Sequence, residues 1–358
     1  MKLRFVFLSG ILVPALLHAL AASHASAQEV TVAVSPDTIG AGTANLAFSQ
    51  DGRMLREIQV VTPAVLGNFW SVRAITYDAT VGSIRHVMNL GPNRKFFSAT
   101  PDGRTAIISV NGDREDAFAH LLLIDMETGQ TQDIPSKWFN AEDHNPYAQI
   151  SADGRLVSAY SSWGPEDGPL VVTLYDWRTK NLIAKQATGY PAGGISWGGV
   201  TVDGKIEFLN SRTGTEIVDP RTGQSLLAYG PNSVRSPDGA WVVELAGYLH
   251  GRERLETIVI NGVDGKILGK LDLNISDVLN ISWSGVFCGT SGRFIAATAN
   301  AVQAFEIPSG KKIADFLLTT WQDVDAMKTD PTVTVACSVN GKRVAIRSGA
   351  RLTLHDLN

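Results

Sequence analysis

Cysteine is scarce in this chain, with only Cys288 and Cys337 among 358 residues. So few excludes a scaffold held together by a dense disulfide framework. Long apolar runs are missing too, apart from one near the N-terminus. There "MKLRFVFLSGILVPALLHALAASHASAQ" has the three parts of a secretory signal peptide: Lys2 and Arg4, an apolar stretch from Phe5 to Leu20, and the small residues Ala25-Ser26-Ala27. The apolar part is broken by Ser9, Gly10 and Pro14 and is shorter than the roughly 20 residues a membrane span needs. Residues 1–27 are therefore expected to be removed, leaving residues 28–358 as a periplasmic or secreted protein without a membrane span.

Positive charge is also in short supply. The formal charge is −4, and loss of Lys2 and Arg4 leaves 29 bases against 35 acids, a charge of −6. Nucleic acid is not an expected partner, because binding it needs basic surface to displace phosphate counterions. Chemical motifs are equally sparse: there is no C-x-x-C-H haem site, H-E-x-x-H zinc helix, phosphate-binding glycine loop or dinucleotide fingerprint. "GISWG", Gly194 to Gly198, does fit G-x-S-x-G. A nucleophile elbow needs a strand before the serine and a helix after it, whereas here a strand is expected to follow. Ser196 is read as part of the glycine-rich approach to that strand, and no residue is nominated as catalytic.

What the chain does have is one turn written repeatedly. The series runs Asp51-Gly52, Asp102-Gly103, Asp153-Gly154, Asp203-Gly204, Asp238-Gly239, Ser291-Gly292 and Asn340-Gly341, at a mean spacing of about 48 residues. Each turn lies between β-prone runs such as "TAIISV" and "RFIAATA". Asp-Gly or Asn-Gly in that setting signals a hairpin with a two-residue primed turn, since Gly and Asn tolerate positive φ. A second marker follows each hairpin, a β-prone run closed by an acid or amide, as in "LLLIDMETGQ" and "TIVINGVDGK". Its side chain can accept a bond from the N–H two residues on, opening another turn. Each unit thus has four strands, A to D. Blade four has a short B–C connection, because "KIEFLNSRTGTEIVDPRTGQ" passes directly between strands.

Seven such antiparallel units around an axis make an all-β, seven-bladed β-propeller. The seventh unit ends at "RLTLHDLN" without an outer strand, while "EVTVAVS", Glu29 to Ser35, is a strand without a unit. Pairing the two closes the ring and covers an edge open to aggregation.

The S-x-D-G and P-D-G turns, and the apolar-acid pairs Tyr77-Asp78, Ile124-Asp125, Tyr175-Asp176, Val218-Asp219 and His355-Asp356, resemble WD40-like propellers. They are most similar to the PD40 repeats of TolB-type and YVTN proteins. The resemblance spans nearly all of residues 28–358, and its motifs specify a blade rather than a task. The chain departs from it in lacking Gly-His dipeptides, a separate N-terminal domain and a C-terminal hydrolase domain.

Cys288 and Cys337 each stand three residues before their turn, on the inner strands of blades six and seven, where the other blades carry Phe48, Ala99, Ile150 and Val200. With a sheet between them at roughly the 10 Å spacing of stacked sheets, beyond the about 7 Å between Cα atoms that a bridge allows, they are expected to be free, buried thiols.

The B–C and D–A connections are long and share one face, and function in rigid scaffolds concentrates on loops. Acids predominate there, while Arg53, Arg104, Arg155, Lys205, Arg293 and Lys342 stand on the tight-turn face, so an electrostatically two-sided molecule is expected. The candidate site is in blades two and three, where residues 111–120, 136–147 and 161–170 meet. It comprises His120, Trp138, Asp143, His144, Tyr147, Trp163, Glu166 and Asp167. Aromatic anchors beside acids suit a protein or peptide with a cationic surface, bound by a monomeric propeller. The opposite sector, around His250 and Trp321, is the alternative location. No cofactor is required, although Ca²⁺ held by carboxylates, as in a lactonase-like hydrolase, stays open. So does a redox-chain subunit resembling the large chain of amine dehydrogenases.

Overall fold

The structure is a computed structural model that describes residues 30–32, 41–61, 71–92, 94–110, 120–134, 146–161, 169–191, 195–210, 214–230, 233–246, 256–273, 284–298, 301–317, 333–349 and 351–357. These residues form seven sheets, each of four antiparallel strands. In blade one, strand A (Ala41–Phe48), strand B (Met54–Val61), strand C (Ser71–Asp78) and strand D (Ser83–Pro92) pair consecutively. Blades two to six repeat this order, and blade four is complete, with Asn210 paired to Gly214 across its short B–C connection.

Blade seven takes strands A to C from Val333–Cys337, Arg343–Ser348 and Arg351–Asp356, and its fourth strand from Val30–Thr31. Val30 pairs with Leu354 and Thr31 with Thr353, and the Val32 N–H donates to Leu352 O at 2.9 Å. The ring is therefore closed by the two ends of the chain, as the orphan strand predicts.

Apolar side chains pack between blades, in one cluster per seam. Strand B shows why its runs are apolar on both faces. In "TAIISV", Ala106 and Ile108 pack with Ile58, Val72 and Ala74 of blade one, while Ile107 turns to Ala148, Val157 and Tyr175 of blade three. A strand buried on both sides cannot show the apolar-polar alternation of a one-sided sheet.

The A–B turns are wider than the primed hairpins expected. The Ser49 N–H donates to Met54 O at 2.9 Å and the Gly52 N–H to Ser49 O at 2.8 Å, leaving Gln50 to Arg53 as the loop. Gly52 has φ 71°, but the only non-glycine described at positive φ is Lys180, so Asp51 is not in the primed conformation. The reason is a side-chain staple. The Ser49 hydroxyl donates to Asp51 Oδ1 at 2.6 Å and accepts the Met54 N–H at 2.9 Å, and Asp51 Oδ1 accepts the Arg53 N–H at 3.0 Å. The same staple joins Thr100 to Asp102, Ser151 to Asp153, Thr201 to Asp203, Ser236 to Asp238 and Ser338 to Asn340. A wider loop is stable because its polar groups bond to one another.

Blade six departs from this, with Gly289 and Ser291 in place of the hydroxyl and the acid. There the structure also overturns the expectation of free thiols: Cys288 and Cys337 form a disulfide, with Cα atoms 4.9 Å apart. The 10 Å spacing belongs to sheets stacked face to face. Propeller blades converge on the axis like wedges, and Cys337 ends one innermost strand while Cys288 directly follows another, where the seam is narrowest.

Candidate functional site

Antiparallel order puts the A–B and C–D turns at one end of the ring and the B–C and D–A connections at the other. At the C–D turns the acids behave as their spacing suggests. Asp78 accepts the Thr80 N–H at 2.8 Å, Asp125 the Glu127 N–H at 2.9 Å and Asp219 the Arg221 N–H at 2.9 Å.

Several basic residues of this end are engaged by neighbouring groups. Arg104 pairs with Asp125 at 3.3 Å, Arg155 with Asp176 at 3.1 Å and Lys205 with Asp203 at 2.9 Å. Others latch one blade to the next: Arg56 donates to Asp102 O at 2.8 Å, Arg155 to Val202 O at 3.2 Å, Arg293 to Gly341 O at 2.6 Å and Arg343 to Ala79 O at 3.1 Å. Of the six bases nominated for this end, Arg104, Arg155, Lys205 and Arg293 are thus engaged by neighbouring acids or carbonyls. Burial alone would raise the Asp176 pKa, but the Thr179 donors and the Arg155 guanidinium outweigh it and hold the carboxyl below its usual range.

The opposite end carries the long connections, between Val61 and Ser71, Val110 and His120, Ile134 and Pro146, Ser161 and Pro169, Ala246 and Glu256, Leu271 and Ser284, and Leu317 and Val333. Of the nominated residues, His120 is exposed at the start of strand C in blade two, paired with Val110. Tyr147 is the second residue of strand A in blade three, its backbone paired with Tyr160. Both lie at the long-connection end of adjacent blades. Trp138, Asp143, His144, Trp163, Glu166 and Asp167, and the Tyr147 side chain, lie outside the described residues. So do His250 and Trp321, and so do residues 1–27, expected to be a signal peptide. Ser196 falls inside a strand, Ile195–Val200, that leads through a tight turn into another strand, so no nucleophile elbow forms.

A polar cluster at the seam between blades one and seven has no counterpart in the sequence-based nominations. Glu57, on strand B of blade one, is 0% exposed and pairs with Arg347 of blade seven, 3% exposed, at 3.2 Å. It also accepts from the Tyr77 hydroxyl at 2.7 Å and the Thr43 hydroxyl at 2.6 Å. Burial, then the Glu57 carboxylate, pushes the Tyr77 pKa far up, keeping the phenol neutral. The available signal is positional: counted from the turn, Glu57 stands where blade two has Ile108 and blade three Ala159, a position at which blade five also carries an acid, Glu244. On the axis, at the tight-turn mouth, inner-strand residues including Asn45, Ala99, Val234, Val286 and Ala336 surround a mainly apolar cavity of about 230 Å³.

No family model and no curated protein matches this chain. Among solved structures, a chain from a crystal structure of the mitotic checkpoint complex is similar over 99% of both chains, with a TM-score of 0.54 and 11% identity. The fold is a seven-bladed β-propeller. Each blade has four strands joined by tight A–B and C–D turns. At 11% identity the likeness extends to the fold alone.

Proposed function

We propose that the protein is an exported β-propeller that binds a protein, peptide or envelope component at its long-connection end, in the sector of blades two and three. The observation that carries this reading is the asymmetry between the two ends. At the tight-turn end, Arg104, Arg155, Lys205 and Arg343 are engaged by acids and carbonyls, and Arg155 and Arg343 also latch neighbouring blades. Every connection long enough to vary leaves from the other end. In blades two and three these connections bring Trp138, Tyr147 and Trp163 into sequence proximity with Asp143, Glu166 and Asp167. Aromatic rings supply burial at an interface, and acids steer a cationic partner toward it. The similar solved chain comes from a protein assembly, which is in keeping with a binding role. The N-terminal sequence directs this activity to the periplasm or the exterior, where a monomeric propeller would need no cofactor to bind its partner.

The test is a pair of variants, Glu166→Gln with Asp167→Asn, and separately Trp163→Ala. Each is checked for unchanged melting and then for partner capture from the native envelope at low and high salt. Loss of capture with intact melting supports the site, and for the charge variant the deficit should be largest at low salt. Undiminished capture by both variants would rule out this sector.

A further inference from the structure

We propose that the seam between blades one and seven, at its long-connection end, contains a binding pocket for a small oxyanion, a carboxylate or a phosphate, held by Arg73 and Gln59. Gln59 follows Glu57 by two residues on strand B and is 0% exposed. It pairs in register with Arg73 of strand C, so both side chains leave the sheet on the same face, the one turned to blade seven. The Arg73 Nε donates to Gln59 Oε1 at 2.6 Å. Arginine can only donate, which settles the amide orientation: the oxygen faces Arg73 and the NH₂ points away from it. Gln59 Nε2 and Arg73 Nη2 are both buried, and neither has a hydrogen-bond partner among the described residues.

Two N–H donors, one cationic, thus stand in the same seam without an acceptor. The nearby carboxylate cannot serve both. Glu57 already receives Arg347, Tyr77 and Thr43. With Glu57 balanced by Arg347, Arg73 leaves the cluster with one net positive charge. A buried unpaired donor is costly, and more so when it is charged. An oxyanion removes both deficits, since one oxygen can take the amide N–H while the same or a second oxygen takes the guanidinium. Water could fill the amide position but would leave the charge unbalanced. On strand D, Asn89, paired with Arg73, is exposed.

The chain without its signal segment would be titrated with sodium phosphate and, separately, sodium acetate, against sodium chloride at matched ionic strength. Melting temperature and isothermal calorimetry are the readouts. A saturable rise in melting temperature with one or both probes is expected, and the tighter probe identifies the anion class. Arg73→Gln should weaken binding by about tenfold or more, Arg73→Lys by less, and Arg104→Gln, on the opposite end, not at all. Should Arg73→Gln fail to fold, Gln59→Leu removes one donor and should weaken the same probe. The proposal is overturned if neither probe acts beyond the chloride control, or if the folded pocket variants respond like the parent chain.

Discussion

Removing the N-terminal closing strand is the sharpest perturbation of the ring. A chain that begins at Pro36 lacks Val30–Thr31 and Val32. Val32 is 2% exposed and packs with Leu352 and Leu354 in the seam of blades seven and one. Its burial is worth about 2 kcal/mol, and that of half-buried Val30 about 1. The paired backbone of Val30 and Thr31, with the bond from Val32 to Leu352, contributes about 1 kcal/mol per hydrogen bond. Ordering three residues opposes these terms at about 1–2 kcal/mol each. The net loss is on the order of 2 kcal/mol, equivalent to a fall of roughly 3 °C in melting temperature. A second effect is larger in practice: the strand Arg351–Asp356 becomes an open edge able to pair with another molecule. Circular dichroism melts and light scattering measure the two effects, and adding the peptide EVTVAVS should partly reverse both. A shortened chain that melts like the longer one and stays monomeric would refute chain-end closure.

Replacing Gly154 by Val, at φ 67° and with its new Cβ 3.2 Å from Thr100 Cγ2, should lower stability by about 2–3 kcal/mol in urea titrations. Lys180 has φ 58° at a turn position where blade one has Gly82 and blade two Gly129, so Lys180→Gly should raise stability by up to about 1 kcal/mol. Replacing Cys288 and Cys337 together by Ala opens a cross-link between residues 49 apart and should cost about 2–4 kcal/mol, read from the denaturation midpoint. On pH, the Ser49 hydroxyl and the Arg53 N–H lower the Asp51 pKa. Burial alone would raise Asp153 and Asp203, but hydroxyl donors and neighbouring Arg155 or Lys205 depress them overall. Carboxyls with folded pKa values below their unfolded values stabilise above the unfolded value and lose that effect as pH falls through the folded one. Melting temperature should therefore hold from about pH 7 to 5 and fall below about pH 4. A drop centred between pH 7 and 5 would contradict this assignment.

The blade count and the closure are legible in the sequence because both rest on local chemistry. A glycine at positive φ, an acid two residues from its N–H donor and a short apolar strand all declare themselves within ten residues. The details that escape depend on contacts between blades. The staple from Ser49 to Asp51 widens the turn through a hydroxyl that a hairpin template ignores. The disulfide follows from wedge-shaped convergence at the axis, which a flat-sheet spacing does not represent. Glu57 and Arg347 lie 290 residues apart in sequence and meet only because the ring closes. For the candidate site, sequence places His120 and Tyr147 at the same end of neighbouring blades, as the structure does. The remaining nominated side chains stand on connections whose course no local pattern determines.

Site-specific photo-crosslinking in the native envelope tests most directly whether binding occurs at the long-connection end. One probe replaces His120, exposed at that end, and another replaces Arg53, on the tight-turn end. A partner of defined mass should be captured from position 120 and not from position 53. Capture from position 53 alone would place the interface on the tight-turn face and contradict the proposed function.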